Sequence, residues 1–328
     1  MDLSTQYLGL TLKNPLVPSA SPLSRHIDSA KSLEDAGASA LVMYSLFEEE
    51  IRAEDELFDT FLNNQDIGHA EADSYRPFPD MNGSITDNYL AQLNQLKQSL
   101  DIPVIASLNG VSSGGWVDHA LEIQQTGADA LELNIYYVAA DIDESGEEVE
   151  QRYIDTLKAV KCRLEIPVIV KISPYFSSVA NMVRRLESAG ADGVSLFNRF
   201  YQPGIDLESL DVTPQLQLSH SGESLLAMRW IAMLHNKVDM TLAATGGIHN
   251  ADDAMRLLLA GADVTHLCAT LLKNSPEYLA TILEQMQQWM EEREYESVEQ
   301  LKGSVSQQHA ADPAAYERAN YIEVLRSM

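Results

Sequence analysis

The chain has 328 residues, with 22 Lys and Arg against 49 Asp and Glu, for a formal net charge of −27. A field of that sign repels phosphate backbones and anionic lipid surfaces, so nucleic acid and membrane are excluded as expected partners. It fits either solubility in a crowded cytoplasm or an acidic docking surface.

No apolar run reaches the ~20 residues of a membrane span. Met1–Lys13 lacks the basic and apolar regions of a signal peptide, so none is expected. Cys162 and Cys268 make no CxxC motif and are too few for an iron–sulfur cluster, which usually takes four. A reducing cytoplasm and no metal site are expected.

In chain order, the first apolar run, Leu16–Ala20, ends on Ser19 and Ala20 and precedes a helix-period stretch, Arg25–Ala36. The second, Ala40–Ser45, ends on Tyr44-Ser45. A long polar segment, Phe47–Asn82, follows and carries Arg76-Pro77-Phe78-Pro79. Loops of that length are usually lids or disordered. A helix, Asp87–Leu100, leads to the strand Pro103–Leu108 and then Asn109. The helix Trp116–Thr126 leads to Ala130–Ile135, which contains Asn134 and precedes Tyr136-Tyr137. The helix Val149–Leu164 leads to Pro167–Ile172, an apolar strand with Lys171 near its end. The helix Ser177–Ala189 leads to Gly193–Asn198, and Gly222–His235 leads to Met240–Thr245 and Gly246-Gly247. The helix Asn250–Ala260 leads to Val264–Ala269 and Thr270, and Pro276–Arg293 is the eighth helix. Two short helices, Ser297–Lys302 and Pro313–Met328, are expected on the outside.

An internal repeat punctuates this order: Ala36-Gly37-Ala38, Thr126-Gly127-Ala128, Ala189-Gly190-Ala191 and Ala260-Gly261-Ala262 each end a helix before a strand. Glycine supplies the left-handed conformation that stops a helix. A second repeat, Ile102-Pro103-Val104 and Ile166-Pro167-Val168, puts Pro where a strand tolerates it, at its start. Continuous apolar strands alternating with helices imply an α/β protein with a parallel sheet covered on both faces. Eight regular units, with no GxGxxG after an early strand, favour a single (β/α)8 TIM barrel over a doubly wound sheet. The expected organisation is a barrel over 1–303 with a long loop after strand 2, and a short helical C-terminal extension over 304–328.

Barrels keep their sites at strand C-termini and often hold phosphate after strands 7 and 8. Gly246-Gly247 alone reads as a tight turn; paired with Ala269-Thr270, and with a helix starting near Asn250, it reads as a phosphate grip. Thr245 adjoins it. Lys171 is either a structural ion-pair member or a contact to an electron-rich ligand. Asn109, Asn134 and Asn198, each with two donors and an acceptor, suit a flat heteroaromatic ring.

These residues together resemble the class 1 dihydroorotate dehydrogenases, over nearly the whole barrel. The resemblance rests on Asn14-Pro15 leading into Ser19-Ala20-Ser21, on Glu132-Leu133-Asn134, on Val170–Phe176 and on Ala244–Ile248. It implies FMN, with Ser19 and Ala20 lining the ring, Asn134 and Asn198 flanking it, and Lys171 near its pyrimidine end. It further implies Gly246, Gly247, Ala269 and Thr270 at the phosphate, with Ser221 and Gly222 adding to the grip. A small-molecule substrate, a soluble electron acceptor or redox partner protein, and a homodimer are implied as well.

The departures cluster on the substrate side. Where the family has Asn-Leu-Ser-Cys-Pro-Asn, this chain has Asn134-Ile135-Tyr136-Tyr137-Val138-Ala139, so Tyr137 stands at the catalytic base. Tyr44 replaces a lysine, and a substrate Asn falls near Pro77. Removal of a carbon-bound proton calls for a positioned base, and an unperturbed Tyr, near 10, is mostly protonated at neutral pH. Tyr137 could be a base beside Lys171, Arg199 or Arg76, a proton donor in a reduction, or packing. Tyr137, Lys171 and Tyr44 are the candidate catalytic residues. Three functions follow: an FMN oxidoreductase with an altered substrate, a non-catalytic FMN-binding scaffold, and a flavin-free phosphate-binding lyase or isomerase.

Overall fold

A computed structural model describes residues 1–54, 56, 83–110, 116–318 and 321–326. Most of the long loop after strand 2, with Arg76 and Pro77, lies outside the described residues.

The eight expected strands form one parallel sheet: β1 Leu16–Pro18, β2 Leu41–Phe47, β3 Val104–Asn109, β4 Ala130–Asn134, β5 Val168–Ile172, β6 Gly193–Leu196, β7 Thr241–Thr245 and β8 Val264–Leu267. Their order, β1-β8-β7-β6-β5-β4-β3-β2, brings the first two strands to the two ends of the ladder. The Ser39 amide and hydroxyl, just before β2, both donate to the Leu16 carbonyl of β1, at 3.1 and 2.8 Å, drawing those ends together. The molecule is a (β/α)8 barrel. Its main helices are α1 Ile27–Asp35, α2 Ile85–Ser99, α3 Trp116–Thr126, α4 Gly146–Lys161, α5 Val179–Ser188, α6 Ser224–Leu234, α7 Ala251–Ala260 and α8 Tyr278–Glu292.

The repeats have a structural meaning. Gly37, Gly127, Gly190 and Gly261 all have φ between 99° and 119°, the left-handed stop expected of them. The Asp of the repeat does a second job. Asp129, Asp192 and Asp263 each accept the backbone N–H of a neighbouring strand start, Val104, Val168 and Leu242, at 2.7–2.8 Å. Lys97, Lys161 and Lys302 pair with the same carboxylates. The turns before Pro103 and Pro167 are also pinned, by Glu34 Oε1 and Gln124 Oε1, each accepting two successive amides.

Some boundaries shift. The first helix splits into a 3-10 turn, Pro22–Arg25, and α1; the last splits into Pro313–Tyr316 and Tyr321–Arg326. Ala269 and Thr270 lie past β8, in a short helix, Ala269–Asn274. Two hairpins were not anticipated. One, Pro203–Ile205 with Val212–Pro214, stands between β6 and α6. The other, Thr5–Tyr7 with Leu10–Leu12, closes the barrel bottom. Its Tyr7, Leu8 and Leu12 pack with Val17, Val42, Ile105, Ala130, Ile169, Ala243 and Val264. Gly193 makes room for this plug: a Cβ there would meet Leu8 at 2.8 Å and Thr241 at 3.1 Å.

The inward strand positions therefore form layers. Above the apolar floor comes a polar layer of Ser45, Ser107, Glu132, Lys171, Ser195 and His266, and above that Asn109, Asn134 and Thr245 at the mouth. Outward positions and helix stripes such as Tyr89, Leu93 and Leu96 form the larger core around the barrel.

Candidate functional site

Two cavities open at the strand C-termini and share Ala20, Lys171, Asn198, Arg199 and Tyr201. The first, about 150 Å³, runs from Ser19 and Ala20 to Thr245, Gly246, Gly247 and Ala269. The second, about 450 Å³, lies toward β2 to β4 and includes Ser45, Glu48, Glu49, Asn109, Asn134 and Tyr136.

The floor is charged. Lys171 Nζ sits 3.5 Å from Glu132 Oε1, with side chains 10 % and 0 % exposed. Ser107 Oγ donates to the same carboxylate oxygen at 3.3 Å, and Ser45 Oγ lies 2.8 Å from Ser107 Oγ. On the other side His266 Nδ1 is 3.9 Å from Glu132 Oε2, and His266 Nε2 meets the Tyr7 hydroxyl at 3.2 Å. Burial drives His266 down to about 4, against the pull of Glu132, so its ring is neutral at physiological pH. Glu132 Oε2 and His266 Nδ1 are buried without a hydrogen-bond partner among the described residues. Lys171 thus has a counter-charge below and a cavity above. Across the mouth, Asn198 Nδ2 donates to Asn134 Oδ1 at 2.8 Å.

The rim after β7 consists of two left-handed glycines, Gly246 at φ 91° and Gly247 at φ 73°. They differ in what surrounds them. A Cβ on Gly247 would lie 2.3 Å from Ser224 N, so that glycine admits the turn at Ser221–Glu223. A Cβ on Gly246 would find one heavy atom within 4 Å, Phe197 O at 3.9 Å, so its backbone faces open cavity. Asp253 accepts from Ser221 Oγ at 2.7 Å and from the His249 amide at 3.0 Å, holding the surrounding loops. Lys273 Nζ donates to Ser219 O at 2.8 Å beside the same cavity.

The candidate residues separate into two groups. Ser19, Ala20, Asn109, Asn134, Lys171, Asn198, Thr245, Gly246, Gly247 and Ala269 line one or both cavities. Gly222, Thr270, Tyr44 and Tyr137 line neither. Thr270 is buried and donates to His249 O at 3.1 Å. Tyr44 packs edge-on against Tyr89, 5.2 Å between centroids, under the Arg25 guanidinium. A register shift between Val42 and Ser45 accounts for this: both face inward, and Tyr44 is turned outward between them. Tyr137 donates to Glu144 Oε2 at 2.5 Å, and Arg152 lies over its ring while pairing with the same carboxylate. The bond to Glu144 raises the Tyr137 pKa.

Sequence reasoning put Tyr136 and Arg199 at strand ends without naming them as site residues, and missed Tyr201 and Ser219 as lining residues and Glu132 and His266 as the buried support. A signal existed for the support: Ile105-Ser107-Asn109 and Ala130-Glu132-Asn134 become more polar at every second residue.

The strand-end mouth and its lysine floor define a (β/α)8 barrel with a small-molecule site of the usual barrel placement. The family described as Dihydroorotate dehydrogenase matches residues 81–290, and the chain belongs to that family. It is 30% identical over 237 residues to the "Dihydroorotate dehydrogenase B (NAD(+)), catalytic subunit" of Halalkalibacterium halodurans, covering 69% of this chain and 73% of the relative. Its counterpart in Thermoplasma volcanium is 23% identical over 323 residues, covering 92% and 98%. A "Dihydroorotate dehydrogenase A (fumarate)" from Lactobacillus delbrueckii subsp. bulgaricus is 29% identical over 177 residues, covering 51% and 56%.

Proposed function

We propose that the chain is an FMN-dependent oxidoreductase with a retained cofactor half and an altered substrate half. The observation that carries this is the pair of joined cavities, one ending on the open backbone of Gly246 and both floored by Lys171. The residues fit FMN. Gly246, Gly247 and Ala269 would hold the phosphate through backbone amides. Ser19, Ala20, Asn134 and Asn198 would border the ring, and Lys171 would meet its carbonyl edge. When bound, FMN supplies two-electron hydride chemistry.

The chain's own groups do the rest. The Glu132 carboxylate holds the Lys171 ammonium at the cavity floor, where it would meet a bound FMN, and the Asn134–Asn198 bond spans the mouth and sets both amides. On the substrate side the Tyr137 hydroxyl donates a hydrogen bond to Glu144 and stays protonated, and Tyr44 turns outward, so neither serves as the base that dihydroorotate oxidation needs. Electrons pass to a soluble acceptor or a partner protein.

Purified protein incubated with FMN and desalted is expected to keep a flavin absorbance spectrum. Loss of all flavin on desalting contradicts this reading and favours a flavin-free phosphate-binding barrel. Flavin retained but untouched by any reductant or oxidant favours a binding scaffold, a role compatible with the committed hydroxyl of Tyr137.

A further inference from the structure

Two adjacent tyrosines follow β4, and they have opposite fates. The Tyr137 hydroxyl donates its hydrogen bond to Glu144. Tyr136 lines the larger cavity beside Asn134 and Lys171. Its ring packs on Phe200, 4.1 Å between centroids, and its hydroxyl oxygen accepts the Tyr201 amide at 3.1 Å. The ring is thus gripped and the oxygen anchored. Among the described residues no protein group accepts the hydrogen on that oxygen, which is left for a ligand.

We propose that Tyr136 is the proton donor to a bound substrate, and that this substrate is an uncharged alkene conjugated to a carbonyl, taken in the reducing direction. The proposal rests on the FMN reading above. Burial raises the Tyr136 pKa, and Glu49 adds to the rise. A hydroxyl held protonated cannot abstract a carbon-bound proton, but it can deliver one where negative charge develops.

The lining argues for an uncharged ligand. Glu48 and Glu49 face the larger cavity. Among the described residues, the guanidinium groups in its lining already hold carboxylates: Arg52 pairs with Glu48 at 2.5 Å and Arg199 with Glu223 at 2.9 Å. Lys171 lies over Glu132. Among the described residues, a substrate carboxylate would meet the acid of Glu49 and no uncommitted guanidinium.

The step balances. A hydride from the reduced flavin, recharged by a reduced nicotinamide, bonds to the β-carbon, and the Tyr136 Oη proton bonds to the α-carbon. The carbon–carbon π bond is consumed, two C–H bonds form, and the tyrosinate regains a proton from water.

The test uses FMN-reconstituted protein, photoreduced and mixed anaerobically with cyclohexenone or with ferricyanide, which takes electrons without a proton to carbon. Wild type is expected to be reoxidised by both, and in deuterated water the product carries deuterium at the α-carbon. Tyr136→Phe is expected to keep its flavin spectrum and its ferricyanide rate while losing about 100-fold in the cyclohexenone rate. Tyr175→Phe, a ring in contact with Phe200 but outside both cavities, keeps both rates. Orotate, an anionic alkene, is expected to oxidise the flavin more slowly than cyclohexenone.

An unchanged cyclohexenone rate in Tyr136→Phe, an equal loss with both oxidants, or no oxidation of wild type by cyclohexenone overturns the proposal. Faster oxidation by orotate overturns its claim of an uncharged substrate. A wild type that holds no flavin overturns the underlying FMN reading, and the proposal with it; a flavin-bound wild type confines any failure to the role of Tyr136.

Discussion

Glu132 is the residue on which the floor of the mouth depends. It faces Lys171 on one side and His266 on the other, with no exposed surface of its own. Removing one partner of a buried ion pair strands the other, at about 3–5 kcal/mol. Glu132→Ala and Lys171→Met are therefore each expected to lower unfolding stability by that order in urea titrations, Lys171→Met no less, because it strands a carboxylate with no exposed surface while the lysine faces a cavity. His266 gives a pH signature. Its pKa is near 6.5 in an unfolded chain and about 4 in the fold, so the unfolded chain takes up a proton that the native protein refuses. Its stability contribution is whole above 6.5 and shrinks as pH falls toward 4, by about 3 kcal/mol at the end of that window. His266→Gln should flatten this part of the stability–pH curve, and a curve of unchanged slope would refute the assignment. Neither residue's role was legible from composition. Both sit in strands that read as apolar runs, and only the alternation of inward positions marks them. The choice between Tyr136 and Tyr137 was illegible for a different reason. Which of two neighbours in a loop faces the cavity depends on contacts from Glu144 and Phe200, which the local sequence does not encode.

At the scale of elements, the strand–helix units were legible because their punctuation is local. A Gly ends the helix and an Asp or a Pro marks the strand start, and both act within a few residues. The N-terminal hairpin was illegible because its strands are three residues long and its purpose is remote: it fills the barrel floor made by strands up to some 250 residues away. Gly193 is the joint between plug and barrel. Gly193→Ala puts a methyl against Leu8 and Thr241, so a loss of about 1–3 kcal/mol is expected from overpacking. The bulge in β2 likewise separates sequence from structure. Tyr44 ends a predicted strand and so belongs on the list of mouth residues, yet the register shift turns it toward α2. No such shift interrupts the pairing of Asn109 with Asn134 or of Asn134 with Lys171, and these strand-end residues face the cavities.

At the scale of the whole molecule, the charge of −27 is a load on the compact state. Salt screens such repulsion within about 10 Å at 0.1 M, so the melting temperature should rise between low and moderate NaCl. A fall would mean that surface ion pairs outweigh the general repulsion. Among the described residues no helix is long and apolar enough to cross a membrane. We propose that the barrel joins a cofactor half that keeps its family's features to a substrate half that has exchanged them. The measurement that tests this most directly is anaerobic mixing of the FMN-reconstituted protein with dihydroorotate, followed by visible absorbance. The expected result is a bound flavin spectrum that dihydroorotate bleaches very slowly. Bleaching at several per second would contradict the altered substrate half, and a protein without flavin absorbance would contradict the retained cofactor half.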